Sequence, residues 1–472
     1  MQFTVPFQKC GLPALLAELS VREGFFVLGD PAGPVGAFNR FLHFGAEPIE
    51  RLTTKGRVCT WHRSGRTVEV VEANPMDQLA AWLDARRVVR PARRSRPFLS
   101  GWVGWLGQDL AWHIEPHLGA HLAPPRAKDD LDQPDLSLGL FDTVWSWDRL
   151  RETLTVFIDE EPCTEPVDER RRACEALARR AVASDAAPGP HRLEAEMAMP
   201  NLARDDYTRA VERIREYIRS GDVYEVNFTH RFGCPFHGDP LGLWWTLAQR
   251  HPMPWSAFLE AQGVHLVGNS PECLLTISGD KLTTRPIKGT ARRGETPSQD
   301  ALLAHELQCS EKDHAEHLMI VDLERNDLGR IAVPGSVEVT EFALLETHPT
   351  LHHLVSTITA TRRAEVSTAD VLRAVLPGGS VTGAPKARAI EIIDELEPAR
   401  RGPFFGAVGW IDRSGDCALN LAIRTGLVRG ERFELAVGGA IVDDSDPAAE
   451  RAEARLKASA FLGAPRTEEA LV

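Results

Sequence analysis

Past residue 200 the chain follows a pattern that narrows its architecture sharply. Strand-like apolar runs come in adjacent pairs, and helical segments separate the pairs. Runs at 223–232, 255–260, 264–267 and 273–277 are followed, beyond a helical stretch, by runs at 405–411, 418–428 and 432–442. A parallel doubly wound sheet would alternate strand and helix throughout, whereas strands adjacent in sequence pair antiparallel. The expected class is therefore α+β, with antiparallel sheets and helices packed outside them. Helical spacing or length predicts helices at 205–220, 241–250, 299–326, 351–359, 367–374, 386–396 and 447–461, the first stopped by Gly221.

The earlier part of the chain has a different texture. Short strands are predicted at 24–30, 58–62, 67–71, 101–106 and 138–147, with a short amphipathic helix at 76–86. Most of the eleven tryptophans lie before residue 150 and read as core packing on strands. A charged helix at 167–183 runs into Ala187-Pro-Gly-Pro190, a composition that marks a connection. The expected division is an N-terminal region at 1–160, a linker at 161–200 and a catalytic region at 201–465.

With 54 basic and 67 acidic residues, the net charge of −13 argues against a nucleic-acid binder. The arginine run between Arg86 and Arg96, broken by Pro91, reads as a solvated connecting loop. No apolar run reaches membrane-spanning length and the N-terminus lacks a secretory pattern, so no membrane association and a cytoplasmic location are expected. Eight cysteines without a Cys-x-x-Cys pair read as reduced thiols.

Several short stretches carry chemistry. In Arg285-Pro-Ile-Lys-Gly-Thr290, Lys288 is expected on a turn leaving a strand, with Gly289 allowing close approach of a ligand. Such a lysine is a nucleophile only as the neutral amine, which requires a depressed pKa; the alternative is an ordinary surface lysine. Asp313 and Glu316 are three apart on one helical face, and Glu450 and Glu453 repeat that spacing. Each pair alone also suits a solvated face. Brought together, the four carboxylates form a hard oxygen site suited to Mg²⁺. His314 and His317 lack a third nitrogen or sulfur ligand at a zinc spacing.

Leu376-Pro-Gly-Gly-Ser-Val-Thr-Gly-Ala-Pro-Lys386 leads into a helix whose N-terminus offers backbone N–H groups to a carboxylate, although Pro385 removes one donor. Gly438-Gly439 at a strand end is a second close-approach segment. Arg424 and Lys457 are candidate carboxylate holders. A tight turn or a surface ion pair is the competing reading for each.

Taken together, these segments closely resemble the chorismate-utilising enzymes, the family of anthranilate, aminodeoxychorismate, isochorismate and salicylate synthases. The resemblance rests on Gly221-Asp-Val-Tyr-Glu-Val-Asn-Phe-Thr-His-Arg-Phe232, Ser270-Pro-Glu-Cys273, Arg285 to Thr290, Asp313 to Gly329, His353-Leu-Val-Ser-Thr357, Pro377 to Lys386, Ile423-Arg-Thr425 and Gly438 to Ser445, with Glu450, Glu453 and Lys457. These run in order across 202–460. The resemblance implies two antiparallel β-sheets packed together with helices on the outside. It implies Mg²⁺ on Glu316 and Glu453 with Asp313 and Glu450 supporting, Glu272 as the acid at the C4 hydroxyl of chorismate, and His353 assisting. Gly289, Thr290, Thr382, Arg424, Gly438, Gly439 and Lys457 are implied to hold the substrate. Lys288 resembles the aminodeoxychorismate branch, where anthranilate synthases are expected to carry alanine, and Glu225 stands where isochorismate synthases place a lysine. A lysine attack on C2 followed by ammonia at C4 is implied.

Ala440, Trp410 and Cys273 depart from the family pattern. The N-terminal region matches more weakly, through Ser100 to Leu110 and Pro134 to Leu136. Relatives bind tryptophan there, so tryptophan is a possible ligand, although Gly29-Asp30 replaces the expected feedback motif. No amidotransferase nucleophile turn is present, which implies free ammonia or a separate glutamine amidotransferase subunit.

Overall fold

The computed structural model describes residues 1–36, 38–63, 65–89, 96–114, 125–161 and 166–463. The middle of the arginine run and the last two residues of the expected catalytic region lie outside these. Among the described residues, thirteen strands make one antiparallel sheet and twelve make another.

Both sheets run through the boundary expected near residue 190. In the first, Phe26–Leu28 pairs with Trp255–Ala261. In the second, Gly101–Leu106 pairs with Ala407–Asp412. Each sheet draws strands from both sides of the linker, so the two regions share a core. Between the sheets, Phe26, Leu259 and Leu266 from the first belong to one cluster with Leu52, Trp102, Leu275 and Leu419 from the second. Helices Leu12–Ser20, Val167–Val182 and Pro240–Arg250 supply Leu15, Leu177 and Trp244 to a second apolar cluster that includes Trp147 of the first sheet. Trp102, Trp105, Trp147 and Trp244 are fully buried, as aromatic residues on a half-apolar pattern should be.

The chain changes sheets between strands that are neighbours in sequence. Val264–Ser270 lies in the first sheet and Cys273–Ser278 in the second. In return, Cys417–Leu421 lies in the second and Thr425–Arg429 in the first, so the single strand expected at 418–428 is two. The expected 138–147 strand divides similarly into Leu136–Phe141 and Thr143–Asp148. Arg424 occupies one break at φ 47°, a left-handed conformation unfavourable for a residue with a β-carbon. Neighbouring crossovers are tied together. Asn269 N–H donates to the Arg424 carbonyl (2.9 Å), Leu421 N–H to the Glu272 carbonyl (3.1 Å) and Ser270 Oγ to the Leu421 carbonyl (2.6 Å).

Two expected helices are corrected. Leu351–Thr361 is a strand, rich in β-branched residues and paired with Ile287–Arg292, Lys281–Arg285 and Glu338–Thr347. Ladder bonds and packing override its ambiguous local apolar spacing. The helix expected at 299–326 is broken into Pro297–Cys309 and Glu311–Gly329 by Ser310, whose side chain accepts from Asp313 N–H (3.2 Å). Asp313 therefore belongs to a helix N-terminus.

Arg96, at the end of the arginine run, is buried, donating to the Thr153 and Thr155 hydroxyls and lying 3.5 Å from Asp148. Among the described residues, no helix is long and apolar enough to cross a membrane.

Candidate active site

The sheet crossovers carry Glu272 and Arg424. Strand Glu225–Gly238 brings Glu225, strand Ile287–Arg292 brings Lys288, and helices Glu311–Gly329 and Pro447–Lys457 bring the two acidic pairs.

Lys288 lies within its strand, opposite Leu354, and not on a turn. A bulge follows immediately, with Gly289 at φ 83°. A side chain there would be strained, and a Cβ would stand 3.3 Å from Asp313 Cβ. The Lys288 ammonium is 3.1 Å from Glu225 Oε1, with the lysine side chain 11% exposed and the glutamate fully buried. Burial pulls the ammonium pKa down, but Glu225, Glu316 and Glu272 together pull it further up, so it ends above its ordinary 10.5. The expectation of a depressed pKa is overturned because the surrounding carboxylates outweigh desolvation.

Glu272 is buried, accepts from Ser380 Oγ (2.6 Å), and is pushed up by burial to about 7. The Ser380 bond and the charges of Lys288 and Arg424 oppose that rise. It is therefore balanced between acid and carboxylate near neutrality, as a proton donor at that pH should be.

His353 pairs across the ladder with Thr290, its Nδ1 3.0 Å from the Thr290 hydroxyl and its Nε2 3.5 Å from Arg424 Nη2. Burial, with Arg424 next, holds its pKa well below 6.5. The ring is neutral, and a cation at Nε2 favours the tautomer with its proton on Nδ1. Burial also lowers Arg424 to about 10. Among the described residues Arg424 makes no ion pair, leaving a guanidinium for an anionic ligand.

The acidic pairs face a shared group of lysines. Glu316 is raised by burial and pulled back by Lys288 and Lys312, and Lys312 is 3.8 Å from it. Glu450 is raised by burial against a 2.7 Å bond from Ser445. Glu453 is lowered, chiefly by Lys457 at 2.8 Å, with Lys288 and Lys312 adding to this. Among the described residues, no group of three His, Cys, Asp or Glu side chains is arranged to hold one metal ion. His317 donates to or accepts from Ser356 (2.6 Å) and His314 bonds the Gln308 carbonyl (2.9 Å), so the two histidines have separate partners.

Three expected substrate contacts have other engagements. Lys457 donates to the Gly438 carbonyl (3.0 Å) as well as to Glu453. Thr382 is fully buried and its hydroxyl donates to the carbonyls of Gly378 and Gly379, so that proton shapes the glycine loop. At Gly438 a Cβ would meet the Phe228 carbonyl at 2.2 Å, so sheet packing excludes a side chain there. Gly439 looks the other way, toward Glu450, Lys457 and Glu453.

The residues overlooked in sequence are Glu225 as the partner of Lys288 and Ser380 as the partner of Glu272. Glu225 had a signal: it is the first residue of Glu225–Gly238 and a lone carboxylate ahead of a run of buried positions. Ser380 had none beyond its place in a glycine-rich loop.

The two-sheet fold, with Glu272 and Arg424 at its crossovers and carboxylates from a strand and two helices around Lys288, frames the class. The chain belongs to the chorismate binding enzyme family, whose profile matches residues 39–463. It is 38% identical over 426 residues to aminodeoxychorismate synthase component 1 of Klebsiella aerogenes, covering 90% of each chain. It is 36% identical over 436 residues to an anthranilate synthase component 1 of Haloarcula marismortui, covering 89% of this chain and 87% of that one. The crystal structure of anthranilate synthase component I from Streptococcus pneumoniae superposes with a TM-score of 0.76 at 27% identity, covering 91% of this chain and 93% of that one.

Proposed function

We propose that the chain is an aminodeoxychorismate synthase component, converting chorismate and ammonia to 4-amino-4-deoxychorismate. The observation that carries this reading is a buried lysine amine, that of Lys288, within electrostatic reach of a carboxyl poised near neutrality, Glu272. An enzyme that placed ammonia directly on C2 would have no use for an amine there.

In this reading Arg424 and Lys457 bind the substrate carboxylates, and Gly289 and Gly439 leave room for the ring. Lys288 Nζ bonds to C2, the ring double bonds shift, and the C4–O bond breaks as Glu272 gives its proton to the departing hydroxyl. Neutral His353, held by Thr290 and Arg424, orients that hydroxyl. Ammonia then bonds to C4, the double bonds shift back, and the C2–Nζ bond breaks. The enolpyruvyl group stays attached.

Mg²⁺ suits the donor chemistry of the acidic pairs, which is oxygen only, with Glu316 and Glu450 raised by burial. Glu316 and Glu453 would hold it with Asp313 and Glu450 behind them, supplying positive charge to a substrate carboxylate. Among the described residues these carboxylates do not by themselves close around one ion, so the substrate or water would complete the set. Ammonia comes from solution or from a separate glutamine amidotransferase.

Product analysis tests the reading. The purified chain with chorismate, an ammonium salt and Mg²⁺ is expected to yield 4-amino-4-deoxychorismate with no pyruvate. Anthranilate and pyruvate in equal amounts would overturn it in favour of anthranilate synthesis.

A further inference from the structure

The pairing of Lys288 with Glu225 poses a chemical difficulty. The attacking amine is an ammonium, and its neighbours hold it in that state. An ammonium has no lone pair to bond to carbon, so a proton must leave Nζ before or during attack, and bulk water is a poor acceptor inside a nearly closed site.

We propose that Glu225 is the base that takes this proton. The inference rests on the aminodeoxychorismate reading and deepens it by naming the group that generates the nucleophile. Oε1 of Glu225 is 3.1 Å from Nζ, within direct transfer distance. Its other oxygen, Oε2, is buried with no hydrogen-bond partner among the described residues, so the carboxylate keeps an acceptor position unfilled beside the amine. The backbone of Glu225 is fixed by pairing with Ala384 beside the glycine-rich loop, where a Cβ on Gly383 would meet the Glu225 carbonyl at 2.1 Å. The carboxylate is thus positioned by the sheet and, among the described residues, held at ion-pair distance by the ammonium alone.

The other charged and titratable groups that bear on this amine have different engagements. Glu272, at the crossover, is bonded to Ser380 and is needed as the acid at C4. Glu316 pairs with Lys312, and Glu453 pairs with Lys457. His317 has its imidazole on Ser356.

The cycle balances. Lys288 ammonium and Glu225 carboxylate become amine and carboxylic acid. The Nζ lone pair forms the bond to C2, the two ring double bonds move round, and the C4–O bonding pair leaves with the Glu272 proton as water. Ammonia bonds to C4 and Nζ leaves C2 with its electron pair. The C4 ammonium returns a proton to Glu272, and Glu225 returns its proton to Lys288.

Two measurements test this. The first is formation of the Lys288 adduct, followed by mass spectrometry after rapid mixing with subsaturating chorismate without ammonia, across pH 6 to 10. If Glu225 supplies the amine internally, the rate follows the protonated fraction of Glu272 and falls about tenfold per pH unit above about 7. If bulk solvent must first deprotonate Lys288, the growing amine fraction cancels that loss and the rate stays level, which would overturn the proposal. The second is Glu225→Gln, which keeps a hydrogen-bond acceptor and loses the base. Adduct formation at pH 7 is expected to fall about 10²- to 10⁴-fold with chorismate affinity changed less than about threefold. A variant that binds chorismate and forms adduct at the wild-type rate would refute it. Because the pH series uses wild-type protein, it decides the matter even if the variant does not fold. If wild-type protein forms no Lys288 adduct and makes anthranilate, the broader reading has failed; an adduct that ignores Glu225 sinks only this inference.

Discussion

Two clusters of buried lysine and carboxylate lie near one another in this fold, and only one is equipped for chemistry. Behind the cleft, Lys386 is 2.7 Å from Asp327 Oδ2, Arg330 donates to Oδ1 (3.1 Å), and Thr284 donates to Glu324, with Leu274, Leu328 and Val375 lining the small space between. In the candidate site, Lys288 and Glu225 also pair, at 3.1 Å, but among the described residues Glu225 Oε2 has no hydrogen-bond partner and Arg424 no carboxylate at ion-pair distance. The closed cluster anchors the helix that follows the glycine-rich loop to Glu311–Gly329. The open cluster leaves donors and acceptors for a substrate to satisfy. Capacity left unfilled in a buried place distinguishes a site from a strut.

The strongest challenge to that contrast is to remove each lysine. Lys386→Met leaves Asp327 with Arg330 alone beside Glu324, which burial already raises well above 4.5, and a loss of about 2–4 kcal/mol in urea unfolding is expected. Lys288→Met is expected to end product formation. Its unfolding midpoint should fall less, because Lys312 still faces Glu316 and Glu453. Equal losses of stability would break the comparison.

Glu272 tests the contrast from the side of function. Its carboxyl titrates near 7 in the folded protein against 4.5 unfolded. A raised acid pKa favours folding fully below the unfolded value, and that advantage is lost as pH rises through the folded one. Above pH ~7 the protein therefore carries a strain of about 3 kcal/mol that Glu272→Gln removes. The variant should unfold at higher urea than wild type at pH 8 and at equal urea at pH 4, while turnover falls about 10²- to 10⁴-fold. A variant less stable at pH 8 would show that the burial of Glu272 is fully compensated. On the closed side, Thr284→Val removes the donor to Glu324 and should cost about 1–3 kcal/mol with KM unchanged.

How far the sequence disclosed this arrangement depends on whether the signal was local. The pairing of neighbouring strands, the class and the helical face joining Asp313 to Glu316 all follow from periodicity within a few residues. The sheet crossovers do not, because Cys417–Leu421 and Thr425–Arg429 read as one strand until partners in different sheets divide them. The same holds for 351–359, whose sequence suits either state and becomes a strand through partners on both sides. Lys288 was legible as a candidate. Its charge state was not, since that depends on Glu225, 63 residues earlier, and on a helix that folds over it.

Gly438 and Gly439 repeat the contrast at the scale of one residue, and alanine at each separates them. At 438 the added carbon would stand 2.2 Å from the Phe228 carbonyl and 2.8 Å from Thr229 Cα, which are backbone atoms that a paired strand cannot easily move. Gly438→Ala should therefore lower stability by about 1–3 kcal/mol. At 439 the nearest atoms are Glu450 Oε2 at 3.4 Å, Lys457 Nζ at 3.5 Å and Glu453 Oε1 at 4.0 Å, ordinary contacts in open space. Alanine there sits in a strand, where it is better than glycine by roughly 0.5–1 kcal/mol, so the fold should be unharmed or slightly firmer. Its methyl group would nevertheless occupy the approach to both carboxylates and Lys457, and KM for chorismate should rise while kcat changes little. If Gly439→Ala instead unfolds like Gly438→Ala with KM intact, the second glycine serves the sheet and not the open region.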